Sequence, residues 1–167
     1  MHLQTFALRT GAALLVAAGL AACTTPQPPA RPGVVIPPPV QQPLAMFIRP
    51  AAGTTIARFD GVRNKGLDIA GNLGDPIVAS ADGRVVYVGG ELRSYGNMVI
   101  IKHNETFLTA YAHAQTILVK ENAVVRQGQK IAEMGKSETD RVKLHFEIRK
   151  NGTAVDPEPY LNGRLQQ

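Results

Sequence analysis

The 167-residue chain carries 18 Lys and Arg against 13 Asp and Glu, a net charge of +5, and no tryptophan. That length suits one domain of ordinary size with flanking segments. Its basic residues are scattered singly or in near pairs, such as Arg63/Lys65, Arg126/Lys130 and Arg141/Lys143, without a basic tract or stacking aromatics, which argues against a nucleic-acid partner.

Residues 1–22 read as an export signal. Arg9 supplies a short positive region, and Gly11 to Gly19 is an apolar run too short to span a bilayer as a stable helix. Leu20-Ala21-Ala22-Cys23 then forms a small-residue cleavage site ending in the chain's single cysteine, which has no partner for an internal disulfide. This pattern resembles the bacterial lipobox and implies that Cys23 becomes a lipid-bearing (palmitoylated) N-terminus. Thr24, rather than aspartate, implies the outer membrane, facing the periplasm. An ordinary signal peptide with an incidental cysteine is the alternative. Cleavage removes Arg9 and no acid, leaving 17 basic against 13 acidic residues. The remaining mild positive charge suits anionic peptidoglycan or an acidic partner.

Residues 23–43 follow as a proline-rich tether, with eight of the twelve prolines between Thr24 and Pro43. Proline lacks the backbone donor and fixes φ, so this stretch predicts a polyproline-like spacer reaching at most ~60 Å. Residues 44–162 change to short apolar runs broken by turn residues, and 163–167 form a C-terminal tail. Pro76–Ser80 and Arg84–Val88 read as two strands around an Asp82-Gly83 turn. Asn97–Lys102 and Thr106–Tyr111 flank His103-Asn104-Glu105 as a second hairpin, in which His103 has no expected function. Val124 to Gly135 reads as strand, glycine turn, strand. Lys143–Arg149 leads into Asn151-Gly152, a strong hairpin signal, and Asp156-Pro157 ends the sheet. Strands this short and closely spaced predict an all-β, antiparallel sandwich or barrel.

On an extended strand, Val142, Leu144, Phe146 and Ile148 share one apolar face, while Lys143, His145 and Glu147 share the other. Asp68 is a carboxylate within the apolar stretch Gly66-Leu67-Asp68-Ile69-Ala70. Tyr111 and His113 stand two residues apart and are predicted to project to one face.

Gly66-x-Asp68, Asp82-Gly83-x-Val85, Tyr95-Gly96-Asn97, Tyr111-Ala112-His113, Gly128-Gln129-x-Ile131-Ala132-x-x-Gly135 and Leu144-His145-Phe146-Glu147 follow one another in this order. Over about residues 46–161 the chain resembles the lysostaphin/LytM-type zinc peptidases. That resemblance implies a small antiparallel β domain (the duplicated hybrid motif) with a groove across one sheet. In that family zinc is held by a histidine, an aspartate and the second histidine of His-x-His, with further histidines assisting the water. Asp68 and His145 match ligand positions and His113 matches a catalytic histidine. Asn64 and Lys143 stand where two histidines belong, so Asp68 and His145 are vestigial ligand positions. No catalytic residue, metal or other cofactor is expected.

The double replacement, with the lipobox and tether, resembles the NlpD-like branch of the family. This implies a non-enzymatic activator of periplasmic N-acetylmuramoyl-L-alanine amidases, acting on peptidoglycan in daughter-cell separation. Many members of that branch carry a LysM wall-binding module, whereas the proline tether precedes the domain here. The expected partner-binding groove comprises Asn64, Asp68, Tyr111, His113, Lys143 and His145, with an ion pair between Lys143 and Asp68. The alternative is a zinc endopeptidase cutting peptide cross-links. A carrier or phosphotransfer domain, suggested by the Gly128–Gly135 pattern, lacks a lysine centred in a tight apolar hairpin.

Overall fold

A computed structural model describes residues 46–162. The export signal, Cys23, the tether and the C-terminal tail lie outside the described residues.

Among the described residues, eleven strands and one short helix follow in chain order. They are β1 (Thr55–Ala57), β2 (Leu67–Ala70), β3 (Pro76–Val78), β4 (Gly83–Gly89), β5 (Met98–Lys102), β6 (Phe107–Ala112), β7 (Ala114–Ile117), β8 (Val124–Val125), β9 (Lys130–Met134), β10 (Lys143–Lys150), β11 (Thr153–Val155) and α1 (Glu158–Leu161). All pairings are antiparallel. The main sheet runs β1-β2-β10-β6-β5-β4-β8, with β11 also paired to β10, and a second sheet runs β3-β9-β7. The all-β expectation therefore holds.

β10 organises the main sheet. One edge pairs with β2 through Lys143–Phe146 and with β11 through Ile148–Lys150, while the other pairs with β6. Alternation buries Leu144, Phe146 and Ile148 completely, and they join Leu67 and Ile69 of β2 and Tyr111 of β6. Ile77 of β3 and Ile131 of β9 enter the same cluster from the second sheet, so one core lies between the two. Each fully buried large aliphatic side chain contributes about 1.5–3 kcal/mol. Gly66 lets β2 approach closely, since a Cβ there would overlap the Phe146 carbonyl.

One sequence expectation about pairing is corrected. Asp82-Gly83 does not close a hairpin: β3 pairs with β9, whereas β4 pairs with β5 and β8. Ser80–Asp82 instead crosses between sheets, held by Ile48 N–H donating to the Ser80 carbonyl and by His103 Nδ1 against the Asp82 carbonyl. β8 and β9 likewise belong to different sheets, and Gly128 makes the turn between them at φ +79°. Long-range partners satisfied these backbones where local turn chemistry suggested neighbours. The β5–β6 hairpin and the Asn151-Gly152 hairpin are present as expected, the latter with both turn residues at positive φ.

Candidate functional site

In the β2–β10 register Asp68 stands opposite His145, and Ala70 opposite Lys143. Alternation turns Asp68, Lys143 and His145 to the face away from the buried Leu67, Ile69, Leu144 and Phe146. Lys143 Nζ donates to Asp68 Oδ2 at 2.7 Å, and His145 Nδ1 donates to Oδ1 at 2.7 Å. The Lys143, Asp68 and His145 side chains are only 18%, 12% and 13% exposed. The predicted ion pair is present, and the imidazole of His145 shares its carboxylate.

The network continues inward. His145 Nε2 lies 3.2 Å from Glu147 Oε1, which also accepts the Tyr95 hydroxyl at 2.7 Å. Asp68 and Glu147, when ionised, can only accept, so the imidazolium form of His145 is the one that satisfies both contacts. Burial opposes that charge, but hydrogen bonds to Asp68 and Glu147 outweigh it and raise the His145 pKa. Burial likewise opposes the Asp68 charge. Hydrogen bonds from His145 and Lys143 prevail, and its pKa falls to about 2. Burial and the bond to Glu147 push the Tyr95 hydroxyl up to about 12. Glu147 is wholly buried, and its Oε2 makes no hydrogen bond among the described residues, lying 3.7 Å from Arg149.

Asp60 also lines the groove and shapes its loop. Its Oδ1 accepts the backbone N–H groups of Val62, Arg63 and Asn64 at 2.9, 2.8 and 2.9 Å, closing a loop that presents Asn64. Asn64 Oδ1 accepts the Gly66 N–H at 3.1 Å, while its Nδ2 is buried without a partner among the described residues.

His113 follows β6 with φ +66°, and its N–H donates to the Tyr95 carbonyl at 2.9 Å. Burial lowers its pKa and nearby Lys143 and His145 add to the effect, so Nδ1–H donates to the Ser137 carbonyl at 2.8 Å from a neutral ring. Its ring centroid lies 6.2 Å from that of His145.

Asn64, Asp68, His113, Lys143 and His145 thus line one groove of about 570 Å³, together with Arg58, Arg63, Lys65, Ser94 and Tyr95. Tyr111 does not. It stands opposite Phe146 in the β6–β10 register and is completely buried, its hydroxyl accepting the Ser80 N–H at 2.8 Å. The two-residue step failed because the left-handed backbone at His113 breaks strand alternation. Tyr111 enters the core and His113 turns to the groove. Tyr95 supplies the groove's aromatic instead, and sequence reasoning missed it, although Tyr95-Gly96-Asn97 was part of the recognised pattern. Asp60 was also missed, and only its position four residues before Asn64 hinted at a loop cap. His103 is bonded to Asp82 and Thr109 and packed against Phe47.

Residues 62–157, more than half of the chain, match the profile of peptidase family M23. The chain belongs to that family. It is 58% identical over 117 residues to the lipoprotein NlpD/LppB homolog of Pseudomonas aeruginosa, covering 69% of this chain and 39% of that protein. It is 51% identical over 124 residues to the murein hydrolase activator NlpD of Escherichia coli, covering 73% of this chain and 33% of that one. The chain thus spans between a third and two fifths of the length of these curated relatives. Among solved structures, a zinc-containing peptidase from Vibrio cholerae superposes with a TM-score of 0.62 at 30% identity, over 66% of this chain and 39% of that one. The LytM-type fold read from the sequence is the fold of this M23 domain.

The M23 groove of this chain does not suit a catalytic zinc. Such a zinc takes about three protein ligands and keeps one position for water. Both Asp68 oxygens and both His145 nitrogens are engaged, and Asn64 offers only a neutral amide. A divalent ion 4 Å from the Lys143 ammonium is opposed by roughly 8 kcal/mol, even at an effective dielectric of ~20.

Proposed function

We propose that this chain is a non-catalytic activator of periplasmic N-acetylmuramoyl-L-alanine amidases, serving peptidoglycan remodelling and daughter-cell separation. The observation that carries this reading is the clamp of Lys143 and His145 on Asp68, which leaves the groove polar and preformed but without the donors hydrolysis requires. The relative named a murein hydrolase activator supports the same reading.

In this reading the groove receives a regulatory segment of an amidase. Its rim carries Arg58, Arg63 and Lys65 beside Asp60, so a partner segment with acidic side chains fits its charge. Arg58 pairs with Glu158 and Arg63 approaches Asp60 at 3.7 Å, leaving Lys65 as the rim cation without a carboxylate partner among the described residues. Docking acts by differential affinity: the amidase exists as blocked and open forms, and a chain that binds the open form better shifts the population toward it. Residues 1–22 serve as the export signal and are cleaved, and a lipid at Cys23 with the tether over 23–43 then holds the domain at the outer membrane, within reach of the wall. The experiment is dye release from labelled sacculi with amidase at fixed concentration. Added chain should raise the rate, and chain without amidase should release nothing.

A further inference from the structure

We propose that Lys143 supplies, from within the chain, the positive charge that a metal ion supplies in zinc-containing members of the family, so that an ion pair holds the groove in shape without metal. The inference concerns the groove's own architecture and stands apart from the identity of any partner.

Asp68 is a nearly buried carboxylate, and such an anion needs a matching charge and filled lone pairs. The 2.7 Å separation from Lys143 Nζ is that of a charge-assisted hydrogen bond. A loose surface lysine contributes little, but this one is fixed at its root, its backbone N–H donating to the Gly135 carbonyl at 3.1 Å. His145 cannot serve alone, because it reaches only Oδ1 and divides its protons between Asp68 and Glu147. Taking away the ammonium leaves Oδ2 without its hydrogen bond inside the groove, beside the imidazole of His145. Oδ2 is then a free oxygen of a kind zinc binds, with the repelling cation gone, and His145 can join it only by giving up a proton to its surroundings. Wild-type protein should therefore be indifferent to metal, and loss of the Lys143 charge should create a response to it.

The test is thermal melting of the full-length protein in detergent, with chelator or with added zinc salt. Wild type should melt at one temperature in both. Lys143→Met should melt roughly 10 °C lower in chelator and recover several degrees in zinc. Lys143→Arg, which keeps the charge, should stay within a few degrees of wild type and ignore zinc. A wild-type Tm that falls on chelation overturns the proposal, as does a Lys143→Met protein that melts like wild type. So does a Lys143→Arg protein as unstable as Lys143→Met, since shape rather than charge would then be responsible. If Lys143→Met yields no folded protein, Lys143→Arg decides alone: wild-type melting supports the internal cation, and a large loss refutes it.

Discussion

Asp68 accepts the Lys143 ammonium 2.7 Å from Oδ2, across the seam between β2 and β10. The same carboxylate receives His145, so one side chain ties two cations on β10 to β2. Replacing it exposes how much that knot contributes. Asp68→Asn keeps the shape but removes the negative charge, stranding two nearly buried cations. A loss of about 2–4 kcal/mol is expected, read from urea unfolding at neutral pH. A change under ~0.5 kcal/mol would mean that the network is ornamental.

The network also predicts a pH dependence. Asp68 titrates at about 2 in the folded chain against an ordinary 3.8, so its contribution is present above pH 3.8 and is lost as pH falls through about 2. His145 is raised above 6.5, so its contribution is full below pH 6.5 and is lost as pH rises through its folded value. His103 and His113 are lowered, and they act in the opposite sense, favouring the fold above pH 6.5. The difference between wild type and His145→Gln isolates the first histidine. That difference should be largest between about pH 4 and 6.5 and shrink on the alkaline side. A difference growing from pH 6 to 9 would reverse the assigned sign.

Tyr111 is now a core prediction rather than a groove one. Tyr111→Phe removes the hydroxyl that satisfies the buried Ser80 N–H, at a cost of about 1–2 kcal/mol. Tyr111→Ala adds a cavity beside Phe146 and should cost about 3–5 kcal/mol. Circular dichroism through a denaturant titration measures both. An alanine variant as stable as wild type would contradict the burial.

Much of this was legible in the chain because it depends on strand alternation. Leu144, Phe146 and Ile148 against Lys143, His145 and Glu147 divide core from groove without any knowledge of neighbours, and the Asp68–Lys143 pair followed once the two strands were placed side by side. What was illegible depended on single backbone angles or distant partners. Nothing local marks His113 as left-handed, so Tyr111 was placed on the wrong face. Asp82-Gly83 has the composition of a hairpin turn, yet β4 begins there against β5 and β8 because those strands offer the partners. Tyr95 reaches Glu147 across 52 residues, a contact no spacing rule anticipates.

Anchoring rests on Leu20-Ala21-Ala22-Cys23. Cys23→Ala should leave the protein unacylated and soluble in the periplasm. Membrane fractionation after a high-salt wash checks this, and retention of the variant with the outer membrane would rule out lipid attachment at that cysteine.

The most direct test of the central claim is dye release from labelled sacculi, comparing wild type with the rim double variant Arg63→Glu/Lys65→Glu. Both positions are exposed, so the fold should survive. With amidase present, wild type should accelerate release and the double variant should do so at least roughly tenfold more weakly, as expected for reversed charge at a docking surface. Neither should release dye without amidase. Chelator-sensitive release by the wild-type chain alone would make it a hydrolase, and undiminished stimulation by a folded double variant would move the activating surface away from the groove.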